Sequence, residues 1–551
     1  MRRLLIVLTL LPLAVLGAAP QPASGPTGTP ATVTHLENAF ASGWMLADSN
    51  GNGIPDEIRG RIVVADQPTA VDNAAAADFA ARMTHGSTGL TLPLVVTRSE
   101  AAAERGQPRL WIGQAAVPAS LAGEVTPLTA RLGANEGGVF ALGTDVVVAG
   151  RDQAGLLAAA EAYAARAPYR WKVPGEELAG IALAVNKTLA SRHVAAQATL
   201  AGVTYVKGQA GIWRALLRVT GTATAEALRR AAQGVRLDAV REIVLLPARG
   251  SAISVRNPQH LAGAPLPPIA GGPEHELDLA TLYTIKGLFG GSPKMPVPAS
   301  LDGRLYVPAG PAGIAMANLA ARLGLESTGI TIPLAFPAAG VAADKVPAQA
   351  VIAGDSPLAR GVEAMLAKDD PAWAKTAALR PGEGEVRVVD HALGTQAKDE
   401  DAPTRKDAVL VRGDAQGAAA AADLLAGHFP NLWAPGKQYL SLAEIRYDLH
   451  RFFSLRSGAG QAAVALYHLD RWMNEIDPPG EARPPAPRAR ERNGGARAAW
   501  GDGAPRARAL RGVPGPRDQE EPRDTRASEV SRPASAKAPA ARHSASREGG
   551  G

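Results

Sequence analysis

The sequence reads Ala-Ala-Arg-Met-Thr-His-Gly-Ser-Thr-Gly-Leu-Thr-Leu-Pro-Leu at residues 80–94, and it reads Ala-Ala-Arg-Leu-Gly-Leu-Glu-Ser-Thr-Gly-Ile-Thr-Ile-Pro-Leu at residues 320–334. Two further matches occur in the same order. Gly60-Arg61 corresponds to Gly303-Arg304, and Asp145–Gly155 corresponds to Asp407–Gly417, each followed by an Ala-rich stretch and then by Trp171 or Trp433. Three collinear matches indicate that the chain contains an internal duplication.

Each copy has the pattern of an α/β module. Apolar runs between turn residues predict strands, and Ala-rich stretches predict helices. In the first copy we expect a helix over 73–84 with Asn73 as its N-cap, and in the second a helix over 312–323. Because strands and helices alternate, we predict an α/β fold of tandem duplicated modules at 34–190 and 275–445, each with a mixed or mostly parallel sheet.

The remaining segments differ from these modules. Residues 195–260 show three strand patterns and one helical pattern, which predict a small α+β middle domain. Residues 261–274 are rich in Gly, Pro and Ala and form the predicted linker. Residues 446–476 have good helical content.

Residues 477–551 are dominated by Pro, Arg, Ala and Gly without apolar periodicity, which predicts a disordered tail. One interpretation is a natural basic tail that touches a surface or an envelope polymer. The other is an out-of-frame translation of GC-rich DNA that replaces a lost C-terminal domain.

The N-terminus has the pattern of a secretory signal peptide over residues 1–19. Arg2 and Arg3 precede an apolar run over Leu4–Leu16, and small residues follow. The alternative for this segment is an uncleaved anchor. No later segment reaches about 18 uninterrupted apolar residues, so we expect no transmembrane span after cleavage. The sequence therefore predicts an exported protein, periplasmic or extracellular. The chain has no cysteine, which excludes disulfides, thiolate metal sites and a cysteine nucleophile.

The net charge of +6 does not indicate a nucleic-acid partner. Residues 477–551 carry 15 of the 58 Lys and Arg residues and 10 of the 52 Asp and Glu residues. The rest of the chain is almost neutral, so we expect no nucleic-acid binding.

One loop has the pattern of a calcium site. Asp48, Asn50, Asn52 and Asp56 occupy positions 1, 3, 5 and 9, and Gly53 stands at position 6. Oxygen ligands at alternate positions can converge on one cation, so we expect calcium in a structural role. Arg59 stands where an EF-hand has a bidentate Glu, and the alternative is a solvated Asn/Gly turn. The second copy lacks these oxygen ligands.

Four polar residues recur in both copies: Arg82 with Ser87, and Arg322 with Ser327. One interpretation makes them a repeated ligand-binding pair. The structural alternative has Arg in a salt bridge on the helix and Ser capping the turn before the next strand. The Gly-Arg-Asp-Gln-Ala-Gly turn at 150–155 lacks the spacing of a phosphate loop, and Asp152 is expected near the start of the next helix.

The first copy resembles the non-catalytic α/β domain that precedes the barrel of several glycoside hydrolases, such as hexosaminidases and α-glucuronidases. The residues that carry the likeness are Leu110–Gly113, Gly138–Leu142, Val146–Gly150 and Gly155. The likeness covers about 60–175, and less clearly 303–437. In those families this domain supports a separate catalytic barrel, so the resemblance implies a carbohydrate context and supplies no catalytic residue.

The sequence therefore leaves three functions open, and it does not decide whether the chain is an enzyme. The first is an exported non-catalytic binding or accessory protein of the cell envelope, with a glycan or another envelope component as ligand. The second is an exported carbohydrate-active hydrolase whose catalytic part lies between the modules or is missing from the C-terminus. The third is a calcium-stabilised structural envelope protein.

Overall fold

The computed structural model describes residues 36–49, 51, 55–104, 106–166, 178–257, 276–292, 295–354, 356–369, 379–389 and 407–427. In chain order, the strands are β1 (Leu46–Ala47), β2 (Glu57–Ile58), β3 (Arg61–Val64), β4 (Val95–Thr97), β5 (Arg109–Ile112), β6 (Glu136–Leu142), β7 (Asp145–Gly150), β8 (Ala196–Val206), β9 (Ile212–Gly221), β10 (Val240–Pro247), β11 (Ile253–Arg256), β12 (Phe289–Ser292), β13 (Met295–Leu301), β14 (Arg304–Val307), β15 (Ala335–Pro337), β16 (Ala350–Ala353), β17 (Gly384–Val389) and β18 (Ala408–Gly413). The helices are α1 (Ala70–His85), α2 (Arg98–Ala103), α3 (Ala119–Thr129), α4 (Gln153–Arg166), α5 (Leu178–Ser191), α6 (Ala225–Ala232), α7 (Gly310–Leu325), α8 (Pro357–Asp369) and α9 (Ala415–Gly427).

The two copies build sheets with the same strand order. In the second copy the order is β15-β14-β16-β18-β17, and the neighbouring pairs are parallel except β17 with β18. In the first copy the corresponding order is β4-β3-β5-β7-β6, again parallel except β6 with β7. The predicted α/β class, with mixed sheets in two copies, is confirmed by this common topology.

The middle segment extends the first sheet. Strands β8, β9, β10 and β11 continue it beyond β6, which gives nine strands in one sheet. The strands expected for a small α+β domain at 195–260 are therefore present, but they do not form a sheet of their own. They join the first sheet because the second edge of β6 pairs with β8, from Glu136 opposite Val206 to Phe140 opposite Gly202.

One apolar core lies between the two sheets. It contains residues of α1 and α4 from the first copy, residues of α7 and α9 from the second, and inward-facing residues of both sheets such as Val148 and Val411. Smaller clusters cover the opposite faces, under α2 and α3 in the first copy and under α8 in the second. Helices thus cover both faces of each sheet, as mostly parallel sheets require.

Small residues allow α1 and α7 to pack closely. A Cβ atom at Gly324 would lie 2.2 Å from the carbonyl oxygen of Ala81, and one at Gly313 would lie 2.0 Å from Nδ2 of Asn73. Both distances are far below van der Waals contact, so neither position accepts a side chain without movement of the backbone. The Ala-rich composition of these helices therefore follows from how closely they approach each other.

A reciprocal pair of polar side chains joins the modules. Oδ1 of Asp78 on α1 accepts hydrogen bonds from the backbone N–H groups of Leu334 (2.8 Å) and Ala335 (3.1 Å). Oδ1 of Asn318 on α7 accepts from Leu94 (2.9 Å) and Val95 (2.9 Å). Asp78 and Asn318 are separated by the same 240 residues as the repeated stretches, so each copy satisfies the edge strand of the other.

The start of α1 differs from the expectation. Thr69 is the N-cap, because its hydroxyl accepts from the N–H of Asp72 (3.1 Å) and the Asp72 carboxylate accepts from the N–H of Thr69 (2.9 Å). Asn73, the predicted cap, is fully buried, and its Nδ2 donates to the carbonyl oxygens of Pro308 (2.9 Å) and Gly310 (3.1 Å). A contact with the other copy therefore explains this residue, and sequence-local reasoning could not foresee it.

Candidate functional site

A crevice of about 460 Å³ opens at the carboxyl end of the second sheet. It lies between α8, the segment 379–381 and the end of β18. In open α/β sheets this edge is where ligands usually bind. Its polar lining residues are Arg360, Glu363, Arg380, Arg412 and Asp414, and its apolar ones are Ala359, Leu379, Pro381, Leu410 and Val411.

Arg412 organises one wall of the crevice. Its Nε lies 2.7 Å from Oε1 of Glu363 on α8, and its Nη1 lies 2.7 Å from Oε2 of Glu385 on β17. A helix carboxylate and a strand carboxylate therefore hold the guanidinium plane from two directions. Donors fixed in this way lose little conformational entropy when they bind a further polar group.

The first copy is apolar at the equivalent position. Arg412 precedes Gly413 and lies opposite Glu385, just as Ala149 precedes Gly150 and lies opposite Gly138. Ala149 is fully buried in the cluster under α3. Because a buried ion-pair network often stabilises a protein less than apolar packing of similar volume, the change in the second copy favours a functional role for Arg412.

The sheet register also revises the sequence alignment of this region. The sequence match places Gly150 against Arg412, whereas the register places it against Gly413. Gly137 and Gly384 confirm this equivalence, because they pair with Gly150 and Gly413 respectively. The first copy therefore has one extra residue in this turn.

Asp152 and Asp414 cap the helices that follow β7 and β18. Asp414 Oδ1 accepts from the N–H of Gly417 (2.8 Å) and Oδ2 accepts from that of Gly382 (2.8 Å), and these bonds hold the pKa of the carboxyl below its usual value. Asp152 makes the matching bonds with Gly155 and Asn135, at 2.8 Å each. A carboxylate thus occupies the place that a phosphate would need, which favours the turn interpretation of both sequences.

The predicted calcium loop is only partly described. It connects β1 and β2, and Asn50 and Asn52 lie outside the described residues. Asp48 Oδ1 accepts from the N–H of Gly51 (2.8 Å), while the Asp56 carboxylate accepts from the N–H (2.8 Å) and hydroxyl (2.9 Å) of Ser49. Within the described ranges, no three His, Asp or Glu side chains are grouped to hold a metal. Calcium binding here stays a prediction.

Arg82 and Arg322 lie in matching buried positions. The guanidinium carbon of Arg82 lies 4.4 Å from the ring centre of Phe40, and that of Arg322 lies 5.7 Å from the ring centre of Tyr283. Arg322 also forms an ion pair of 2.7 Å with Glu326. Both side chains are at most 7% exposed as residues, so this environment favours the structural interpretation over the ligand-binding one.

Ser87 and Ser327 close equivalent turns. The Ser87 hydroxyl accepts from the N–H of Gly89 (3.1 Å) and donates to its carbonyl oxygen (3.0 Å). Ser327 makes the same two contacts with Gly329. These bonds fix the turn that leads to the cis peptide bonds Leu92–Pro93 and Ile332–Pro333. A structural role accounts for the recurrence of both serines.

Sequence reasoning missed Glu363 and Arg412, which line the crevice, and Glu385, which forms an ion pair with Arg412. The available signal was the difference between the copies at Arg412, but the one-residue offset in the turn concealed it. Trp171 and Trp433, which could stack on a sugar, lie outside the described part of the chain.

No protein-family model matches the chain, and no curated protein matches it significantly. None of the described helices is both long enough and apolar enough to span a lipid bilayer.

Proposed function

We propose that the chain is an exported, non-catalytic binding protein of the cell envelope, and that its ligand is a glycan held in the crevice of the second module. The observation that carries this proposal is the Arg412 ion-pair network at the ligand-binding edge of an α/β sheet. The signal-peptide pattern over residues 1–19 supports export. The likeness to the accessory α/β domain of glycoside hydrolases supports a carbohydrate ligand.

The lining of the crevice suits a ligand rich in hydroxyl groups. Ligand sites in proteins measure roughly 300–1,000 Å³, and the crevice falls within this range. Guanidinium and carboxylate groups offer paired donors and acceptors in a plane, which adjacent sugar hydroxyls can meet. Leu379, which is half-buried, and Pro381, which is exposed, add apolar surface for the C–H face of a sugar ring.

The arrangement favours binding over hydrolysis. Glycoside hydrolysis generally needs two carboxyl groups that flank the scissile bond, one of which donates a proton. Glu363 in the crevice wall and Glu385 on β17 instead flank the Arg412 guanidinium, and both serve as acceptors in ion pairs. The hydrolase alternative would therefore need a different pair of acids.

Isothermal titration calorimetry with three oligosaccharides tests the proposal: a neutral glucose oligomer, an N-acetylglucosamine oligomer and a uronic acid oligomer. We expect at least one to bind the full chain. Arg380→Ala removes an exposed donor of the crevice and should weaken binding about tenfold or more, because a hydrogen bond to a charged group contributes roughly 1.5–3 kcal/mol. Ala359→Phe should block the crevice.

Arg229→Ala is the matched control, because Arg229 is an exposed arginine on α6, away from the crevice. The Arg229→Ala variant should bind the oligosaccharide with the same affinity as the unmodified chain. Absence of binding by all three oligomers, or equal affinity in every variant, would contradict the proposal. Turnover of chromogenic glycosides would favour the hydrolase instead.

A further inference from the structure

The first copy shows how its sheet is completed. Strand β6 pairs with β7 on one edge and with β8 on the other, and both pairs are antiparallel. Strand β8 reaches this edge after α4 and α5, so the same chain supplies the strand that covers β6. On the second edge, Val139 lies opposite Val203.

Strand β17 is the counterpart of β6 in the second copy. It pairs with β18 from Gly384 opposite Gly413 to Val389 opposite Ala408. Among the described residues, β17 is paired on this edge alone, and its partner there is β18. An edge left without a partner presents a row of backbone donors and acceptors, which favours pairing with another strand.

The sequence that follows α9 repeats the sequence that follows α4. Gln197-Ala198 at the start of β8 corresponds to Gln461-Ala462, and Arg192 corresponds to Arg456, both at a separation of 264 residues. The buried positions of α5 correspond to apolar residues at the same separation. They are Leu178, Ile181, Val185 and Leu189 in the first copy, matched by Leu442, Ile445, Leu449 and Phe453.

We propose that the second edge of β17 is a docking site for residues 460–470 of this same chain, which add to it as an antiparallel strand. The repeat then fixes the register. Val386 is the counterpart of Val139, because each stands two residues after the glycine that pairs with Gly413 or Gly150. The counterpart of Val203 at a separation of 264 is Tyr467, so Val386 lies opposite Tyr467.

Docking of residues 460–470 at β17 does not depend on glycan binding, and it bears on the reading frame of the C-terminal segment. If residues 460–470 complete the second sheet, the duplication extends beyond the Asp407–Gly417 match. The native reading frame then continues at least to residue 470. The Arg- and Pro-rich segment from residue 477 begins after the last element that the repeat requires.

Cysteine cross-linking tests the register, and the cysteine-free chain makes the assay unambiguous. Opposed residues of antiparallel strands have Cα atoms about 4.5–5.5 Å apart, which suits a disulfide. We expect the double variant Val386→Cys/Tyr467→Cys to cross-link rapidly under mild oxidation of the full chain. The control Val386→Cys/His468→Cys should cross-link at least tenfold more slowly, because adjacent residues of a strand point to opposite faces.

Equal rates in the two double variants, or no cross-link in either, would overturn the proposal. Melting curves of the reduced variants establish that both are folded. As a second measurement, Tyr467→Pro removes a backbone donor from the docked segment, so hydrogen exchange in the peptide 384–389 of the full chain should become faster. Unchanged exchange there would also contradict the docking.

Discussion

The substitution Asp78→Asn should stabilise the protein, although it removes a charged group from the sequence. Asp78 is fully buried on α1, and its Oδ1 accepts from two backbone N–H groups of the second copy. In the matching position Asn318 uses its Nδ2 as well, which donates to the carbonyl oxygen of Val95 (3.1 Å). Oδ2 of Asp78 accepts no hydrogen bond from the described residues. In the Asp78→Asn variant, the amide nitrogen would stand at this position and could donate a hydrogen bond, as Nδ2 of Asn318 does to Val95.

The protonated acid can make the same bond, and its environment favours that form. Burial raises the pKa of the Asp78 carboxyl well above its usual value, and the charge of Glu161 raises it further, against the opposing effect of the Leu334 and Ala335 N–H groups. The folded protein therefore holds this proton more tightly than the unfolded chain does. The resulting stability is complete below the pKa of an unfolded Asp, about 3.9, and is lost as the pH rises towards the folded pKa.

The magnitude follows from this linkage. Between about pH 4 and the folded pKa, the unmodified chain loses about 1.4 kcal/mol of this stability per pH unit, whereas the amide side chain of the Asp78→Asn variant does not titrate. Urea unfolding of both proteins between pH 4 and pH 8 measures the difference. We expect the stability of Asp78→Asn relative to the unmodified chain to increase with pH. The stability of Asn318→Asp relative to the unmodified chain should decrease with pH. A variant less stable than the unmodified chain at pH 8, or a difference that does not depend on pH, would refute this account.

Three further predictions concern the loop, the helix contact and the buried arginine. Calcium should raise the melting temperature of the unmodified chain but not that of the Asp48→Ala variant. At a calcium concentration of 100 times the dissociation constant, binding should add about 2.7 kcal/mol to the free energy of unfolding. Equal responses of the two proteins would favour the solvated turn. Gly324→Val should destabilise the protein by roughly 1–3 kcal/mol or more in thermal unfolding, because its Cβ would overlap the backbone of Ala81; a neutral effect would contradict the close packing of α1 and α7. Arg82→Leu should lower the melting temperature and leave glycan affinity unchanged, since Arg82 is buried against Phe40; calorimetry that showed lost affinity at unchanged stability would restore its ligand-binding role.

The sequence predicts the topology well because the duplication provides two independent samples of one pattern. Strands such as β3 and β14 and helices such as α1 and α7 were expected close to where they lie. Repeated residues that fix backbone geometry, such as Ser87 and Ser327, were also visible as repeats. Their role could be assigned only from the structure, because residues that cap a turn and residues that bind a ligand can recur in the same way in a single sequence.

The contacts between copies could not be predicted from local patterns. Asn73 resembles a helix cap, yet it binds carbonyl groups more than 230 residues away. The same limitation applies to the site, where Arg412, Glu363 and Glu385 come from three separate elements. The middle strands were predicted individually, but nothing local indicates that β8 pairs with β6.

Hydrogen exchange in the presence of a glycan shows which module binds the ligand. With a saturating concentration of the oligosaccharide that binds most tightly, we expect slower exchange in peptides that cover residues 356–366 and 407–414, which contain residues of the crevice walls. The equivalent residues of the first copy, 144–152, should exchange at the same rate with and without the ligand. Protection confined to the first copy, or none in the crevice walls of a chain that binds the glycan, would contradict the assignment of the second module as the binding site.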